Sequence, residues 1–413
     1  MNENDIFITS IEVKKVRNIE NFIIPLSETE RKHLIITGKN GSGKTSLLLE
    51  LNKFISLSLS QSIVNYSSIN TSYSNLNFIL KKVKDELKKP LDYERFNLID
   101  KSISQLQSEI SIYGNTKIIF NHENKSNESY LSVLFEAKRF TQPVIPEGIN
   151  KIELKENYQS TEKINQNFIQ YIVNLKAERS FAKDDDDDKS VAEIDDWFIK
   201  FENQLKELFD APNLQLIFDR KNYNFHLQIG NNEPFSLAEL SDGYSAVLTI
   251  VTELILRMEA TGNKGHDLQG IVLIDEIETH LHVALQKKIM PFLCAFFPNI
   301  QFIVTTHSPF VLSSISNAVI CDLERKEVIS EDLSGYSYHA LVESYFDTDE
   351  YSEEVKIKLR LFELLSEKME LTEEEEDEYE ELDDYFINLP KFRAKQLEVK
   401  LQQIQLKKLT QKG

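Results

Sequence analysis

The chain of 413 residues is long enough for one large domain or two to three ordinary ones, and its 41% apolar residues can build a sizeable core. With 67 acidic against 47 basic residues its formal charge is −20, so the surface as a whole repels nucleic acid and anionic membranes, and any DNA contact needs a local basic patch or a partner. No run approaches the roughly 18–20 apolar residues of a membrane span, the polar start MNENDIFITS is no signal peptide, and Cys294 and Cys321 in apolar segments suit a reducing, cytoplasmic compartment.

In chain order, IFITSIEVKKVRNIENFIIPL alternates apolar and polar residues and predicts two strands. A short buried strand HLIITG (33–38) and a helix TSLLLELNKFISLSL (45–59) follow. A Ser- and Asn-rich loop (61–75) leads to two amphipathic helices, 75–89 and 93–113, interrupted by Pro90. Strands are predicted at TKIIFNH and YLSVLFEAKR (130–139), and a helix at 163–180. The run KDDDDDK (183–189) reads as a solvated loop, with a metal or basic-partner site as the alternative. A helix at 195–209, strands LQLIFD and YNFHLQIG, and a long helix SAVLTIVTELILRME (245–259) come next. Strand GIVLIDE (270–276), helix 282–297, strand IQFIVTTH (300–307) and strand NAVICDL (317–323) then alternate as a parallel α/β core does. From about 340 the composition shifts to charged helix, acidic at 373–386 and basic at 391–412.

The strongest local signal is GKNGSGKT (38–45), which fits G-x-x-x-x-G-K-[ST] and stands between a predicted strand and helix, as that motif requires. Gly41 and Gly43 let the backbone turn so that successive N–H groups face an anion, and the helix start adds its positive dipole end. Asn40, Gly41, Ser42, Gly43, Lys44, Thr45 and Ser46 are therefore the candidate ATP-binding set, with Lys44 directed at the β- and γ-phosphates and the Thr45 hydroxyl at Mg²⁺. IVLIDE (271–276) ends a buried strand in Asp275 and Glu276, a costly pair unless cations or waters meet it. Asp275 is assigned to Mg²⁺ and Glu276 to the attacking water as general base. His307 closes the next predicted strand, where a neutral ring can donate one hydrogen bond to a γ-phosphate or to that water. In LSDGYSA (240–246), Ser241 and Gly243 precede a long helix whose start offers N–H groups, a hydroxyl and a dipole to an anion.

Together GKNGSGKT, LSDGYSA, IVLIDE and TTHSP resemble the ABC-type ATPases of the SMC/RecF-like branch, and IEVKKVRNIENFIIPL resembles the strand pair with which its members begin. The resemblance covers roughly 1–60 and 115–325. It implies an α/β fold, an ABC-type P-loop ATPase core with a mixed/parallel sheet, helical insertions and a helical C-terminal segment. The expected divisions are core with phosphate loop at 1–60, helical insertion at 61–114, remaining core at 115–335 and charged helices at 336–413. It further implies that the signature loop of one subunit closes over ATP held by another. Ser241 and Gly243 would then contact a γ-phosphate across a head-to-tail dimer or higher oligomer. The signature lacks the LSGGQ of transporters, which argues against transport. No loop plainly supplies the family's Mg²⁺-contacting glutamine; Gln142, after LSVLFEAKR, is the candidate. Arg139 and Arg179 are further candidates for phosphate or interface contacts. In IETHLH (277–282), His280 and His282 beside Glu278 can be read as a metal site on one strand face, but the family places a partner-touching loop there, and the interface reading is preferred.

Within the branch, SFAKDDDDDKSVAEIDDWF, LSDGYSAVLTIVTELILRME and LIDEIETHLHVALQ resemble ATPase subunits of bacterial anti-phage systems, especially the Septu or retron-associated kind paired with an HNH nuclease. A second defence type pairs a similar ATPase with a toprim nuclease. No nuclease is read in this chain. His339 is the only histidine beyond His307, and the DTD of Asp347 and Asp349 is followed by charged helix. An effector in trans is expected, HNH-type first and toprim-type second. The acidic and basic C-terminal stretches can pair as an antiparallel hairpin or dock a partner. The rival reading is a RecF-like repair ATPase clamping DNA as an ATP-bound dimer, which the net charge disfavours.

Overall fold

The computed structural model describes residues 5–59, 66–88, 93–112, 115–121, 130–139, 143–150, 152–155, 158–261, 268–335, 353–368, 371–388 and 401. The chain divides into two compact units, 1–336 and 337–413.

In the first unit the alternating N-terminal sequence folds as the expected strand pair. β1 (Ile8–Val16) and β2 (Ile19–Pro25) are antiparallel. The period of two sends Ile11, Val13 and Ile19 inward and leaves Lys15 and Glu20 outside, where they form an ion pair. β3 (His33–Thr37) leads into helix α1 (Lys44–Leu59). Helices α2 (Tyr66–Glu86) and α3 (Tyr93–Ile112) pack on each other, α2 starting earlier than the Ser- and Asn-rich composition predicts. β4 (Thr116–Phe120) then joins the free edge of β1, closing a three-stranded sheet in the order β2-β1-β4.

The main sheet adds β5 (Leu131–Phe135), β9 (Gly270–Ile274), β10 (Ile300–Thr305), β11 (Ala318–Asp322) and β12 (Glu327–Ile329) to β3. Its order is β12-β11-β3-β10-β9-β5, with every pairing parallel except that of β11 with β12. Strands such as GIVLI and IQFIVT are buried along their whole length, as near-continuous apolar runs in parallel sheets are. Leu47, Leu51, Phe54 and Ile55 of α1 share one core cluster with Leu34, Leu273 and Ile303 of the main sheet and Ile11, Val13 and Ile118 of the small one. One helix thus ties the two sheets together. Trimming the fully buried Leu51 to alanine should cost about 2–5 kcal/mol.

The rest of this unit comprises α4 (Phe168–Asp184), α5 (Asp188–Leu208), an antiparallel sheet of β6 (Leu214–Asp219), β7 (Asn224–Ile229) and β8 (Phe235–Ser236), α6 (Asp242–Ala260), α7 (Val283–Phe296) and the short α8 (Pro309–Leu312). The aspartate run is less of a loop than its charge suggests. Asp184 ends α4, Asp188 opens α5, and Asp187 caps α5, accepting from the Ser190 N–H at 3.1 Å and its hydroxyl at 2.6 Å. Aspartate is favoured at helix starts as well as in solvent, so only the turn between the helices remains.

In the second unit the acidic helix α10 (Glu373–Ile387) packs on α9 (Glu353–Glu367); the basic stretch 391–412, expected as its other partner, lies outside the described residues apart from Leu401. Apolar packing decides the pairing: Leu359, Phe362, Leu365, Leu382, Phe386 and Leu401 form one cluster, and Phe362 stacks on Tyr379. His339, Asp347 and Asp349 also lie outside the described residues. Among the described residues, no helix is long and apolar enough to cross a membrane.

Candidate active site

The carboxyl ends of the parallel strands gather the chemistry, as they do in open α/β sheets. From β3 the chain turns through Gly41 (φ 84°) and Gly43 (φ 104°), a conformation that side chains with a Cβ resist. The Ser42 N–H donates to the Lys39 carbonyl at 3.1 Å, and the Leu47 N–H to that of Gly43 at 2.8 Å, which starts α1. The first-turn N–H groups of α1 lack intrahelical partners, and no acidic residue competes for them there. Asn40 and Gly41 are exposed, while Ser46 is half-buried in the first turn. The buried Lys44 bends over the loop, its Nζ donating to the carbonyls of Gly38 (2.9 Å) and Lys39 (3.1 Å). Burial pulls its pKa below the ordinary lysine value, against the pull of Glu276, Glu278 and Asp275. Ser42 Oγ is buried there without a hydrogen-bond partner.

Asp275 and Glu276 follow the last residue of β9 and begin a turn, not the strand end the sequence predicts. The Thr45 hydroxyl donates to Asp275 Oδ1 at 3.2 Å, and the Thr305 hydroxyl donates to the same oxygen at 2.6 Å. Residues 230 positions apart thus meet at the loop's edge. A hydroxyl beside a carboxylate is the hard-oxygen donor set that suits Mg²⁺. Glu276 holds a positive φ of 44°, fixed by its N–H donating to Thr305 Oγ1 at 2.7 Å. Its Oε2 accepts from the Thr279 hydroxyl at 3.3 Å.

Arg139, considered for a phosphate or interface contact, is engaged within the chain. It is buried, and its guanidinium donates to the carbonyls of Asp275 (2.6 Å), Glu276 (2.9 Å) and Ile277 (3.1 Å), holding the carboxylate turn by its backbone. Burial lowers its pKa to about 10, which leaves it charged at neutral pH. Arg179 is committed to Asp195, with two 2.5 Å bonds between α4 and α5. Gln142 lies outside the described residues.

His307 stands beyond β10, and burial, with Lys44 adding to it, holds the ring below its ordinary pKa, so it is neutral at pH 7. The His307 backbone N–H donates to Glu278 Oε1 at 2.5 Å, and the Thr306 hydroxyl to Glu278 Oε2 at 2.7 Å. Glu278 is thereby occupied on both oxygens and is no partner of His280 or His282. His280 ends a turn and His282 precedes α7, so the two do not share a strand face. His282 Nδ1 accepts from the Ala284 N–H at 3.4 Å and caps α7. Among the described residues no group of three or more His, Cys, Asp or Glu side chains is placed to hold a metal ion.

α6 begins at Asp242, earlier than predicted, so Ser241 is its N-cap and Gly243 falls in its first turn. Ser241 is exposed and its side chain makes no capping bond. Gly243 is buried against the 280–285 segment, where an added Cβ would come within 3.0 Å of the His280 carbonyl. Tyr244 stacks on Phe209, with ring centroids 4.1 Å apart. The helix start is therefore fixed by α5 and by the turn that follows Glu276. Thr305 was not singled out in the sequence, and the contacts that Arg139 and Glu278 make were not readable there, because they run largely to backbone groups, which leave no residue-type signature.

Residues 34–313, about two-thirds of the chain, match the family model described as "AAA domain, putative AbiEii toxin, Type IV TA system". Septu protein PtuA of Bacillus mycoides (strain KBAB4) is 27% identical over 353 residues, 82% of this chain and 44% of that protein. The Retron Ec83 probable ATPase of Escherichia coli is 43% identical over 90 residues, 21% of this chain and 17% of that protein. The chain thus spans less than half the length of these curated relatives. The SMC head domain from Thermotoga maritima matches with a TM-score of 0.35 at 11% identity, over 76% of this chain and 94% of that one.

Proposed function

The chain belongs to this AAA-domain family and carries its ATPase domain; on that premise we propose that it binds and hydrolyses ATP as a subunit of an anti-phage defence assembly, through sites shared between copies, and that it controls a separate nuclease. The observation that supports the ATPase reading best is the meeting of Thr45 with Asp275 beside Lys44 and Glu276. The loop N–H groups, the start of α1 and Lys44 bind the triphosphate, and the unpartnered Ser42 hydroxyl is available to it. Thr45 and Asp275 hold Mg²⁺, which when bound neutralises charge on the phosphate oxygens. Glu276 takes the proton of the attacking water, and the neutral His307 ring donates to a γ-phosphate oxygen or to that water. The unspent Ser241 hydroxyl and the first-turn N–H groups of α6 serve the ATP of a second copy.

The defence role rests on the likeness to Septu and retron proteins, and an HNH-type effector in trans is the form it takes here. The ATPase part is tested by Glu276→Gln. Nucleotide binding should persist while phosphate release falls about 10²–10⁴-fold, the usual weight of a general base. Release at the wild-type rate would remove Glu276 from the mechanism. The defence part is tested by co-purification with the product of an adjacent nuclease gene and by protection of cells against phage.

A further inference from the structure

The sequence offers Glu278 only as a neighbour of two histidines, in a metal site or a partner-touching loop. In the fold its carboxylate grips the segment that carries His307. Its two carboxylate oxygens accept from the His307 N–H (2.5 Å) and the Thr306 hydroxyl (2.7 Å). A second brace lies one residue on: the Ser308 hydroxyl donates to Gln286 Oε1 at 2.7 Å, and Gln286 Nε2 donates to the Leu281 carbonyl at 2.8 Å. On the near side, the Ile277 N–H donates to the Thr305 carbonyl at 3.0 Å, and the Glu276 N–H to the Thr305 hydroxyl at 2.7 Å. The turn after the general base and the segment after β10 are therefore laced together at residues 305, 306, 307 and 308. Glu278 does this with a formal charge, and bonds from backbone N–H groups to a carboxylate are among the stronger ones.

We propose that Glu278 is a positioning residue for His307, fixing the backbone from which the imidazole reaches the reacting phosphate. The proposal rests on the role given to His307 above. Without the carboxylate, the His307 N–H loses its acceptor and the segment loses its charged tie. The ring would then sample orientations outside those that meet the γ-phosphate, and a displacement near 1 Å at such a site costs up to about 10²-fold in rate. Nucleotide affinity comes from the phosphate loop, which Glu278 does not touch through these bonds. The expected signature is a fall in kcat with KM for ATP little changed.

The test is a double-mutant cycle on ATP turnover by the full chain, with wild type, Glu278→Ala, His307→Ala and the double variant, and binding of a fluorescent ATP analogue measured on each. Glu278→Ala should lower kcat about tenfold or more in the wild-type background and add less than about twofold to His307→Ala. Glu278→Gln, which keeps an acceptor for the His307 N–H, should recover most of the loss and guards against a folding defect. Equal losses in both backgrounds, or loss of analogue binding with Glu278→Ala, would overturn the proposal while leaving the role of His307 standing. If His307→Ala turns over like wild type, the role of His307 fails and the positioning role falls with it. If His307→Ala is too slow to measure, the split between kcat and KM in Glu278→Ala and Glu278→Gln decides.

Discussion

Replacing Arg139 with methionine keeps the unbranched apolar stem and deletes the guanidinium. The side chain is 3% exposed, and its donors reach the carbonyls of Asp275, Glu276 and Ile277 within 3.1 Å. Each hydrogen bond from a charged donor contributes about 1.5–3 kcal/mol, but the three are not additive, and the variant no longer desolvates a cation. A net loss of about 3–5 kcal/mol follows, a large share of the ~5–15 kcal/mol that holds a domain folded. The chain's single tryptophan, Trp197, packs in the first unit between Tyr171, Phe198 and Phe201 and reports its unfolding in urea. The midpoint should move well below that of wild type, and turnover should drop even where the protein is still folded, because the turn carrying Glu276 has lost its anchor. Arg139→Lys, with one compact donor group, should fall between. A methionine variant within about 1 kcal/mol of wild type and with unchanged kcat would refute the backbone clamp.

Two more predictions concern buried charge. Glu253 and Arg257, 2% and 3% exposed, pair at 2.7 Å inside α6, and the second Glu253 oxygen accepts from the N–H groups of Ile164 and Asn165, both at 2.8 Å. Glu253→Ala should cost about 3–5 kcal/mol in a thermal or urea melt, since it strands a buried cation and two donors, whereas a loss below about 1 kcal/mol would show that the pair is not what ties α6 to the 159–165 segment. His33 is buried and neutral, its Nδ1 accepting from the Phe302 N–H at 3.1 Å and its ring held at a pKa of about 4, chiefly by burial. Between the unfolded value of 6.5 and about 4 the unfolded chain binds a proton that the folded chain refuses, so stability falls with pH by about 1.4 kcal/mol per unit, or roughly 3 kcal/mol in all. His33→Asn should lose that component of the slope in melts from pH 7 to pH 4, and an unchanged slope would assign it elsewhere.

The residues that were legible in the sequence are those whose chemistry demands a residue type within a short motif. A phosphate cradle needs glycines, a lysine and a hydroxyl in fixed order, so Gly41, Gly43, Lys44 and Thr45 announced themselves. Asp275, Glu276 and His307 stood out because polar groups at the ends of apolar strands are rare. The parallel sheet was readable from uninterrupted runs such as GIVLI. The roles of Glu278 and Arg139 were not, because a carboxylate bound to a backbone N–H and a guanidinium bound to carbonyls leave little complementary residue pattern to find. In the C-terminal segment charge drew attention to the acidic and basic stretches, whereas the packing of α9 on α10 rests on apolar residues such as Phe362, Leu382 and Phe386, which the charge pattern does not reveal. Helix starts also shifted, at α2 and α6, where serine and aspartate serve as first-turn or capping residues as readily as loop residues.

The central claim, an ATP site completed by a second copy, is tested most directly by mixing two defects. Lys44→Ala disables the phosphate loop, and Ser241→Arg blocks the exposed start of α6. Each variant alone should be inactive, because every shared site in its assembly lacks one half. Co-expressed in equal amounts, they form mixed assemblies in which about one site in four draws a sound phosphate loop from one chain and a sound signature start from its neighbour, whatever the number of copies in a closed ring. Turnover near a quarter of wild type is the predicted result. A mixture as inactive as its components, or a Ser241→Arg protein that hydrolyses ATP normally by itself, would contradict the shared site.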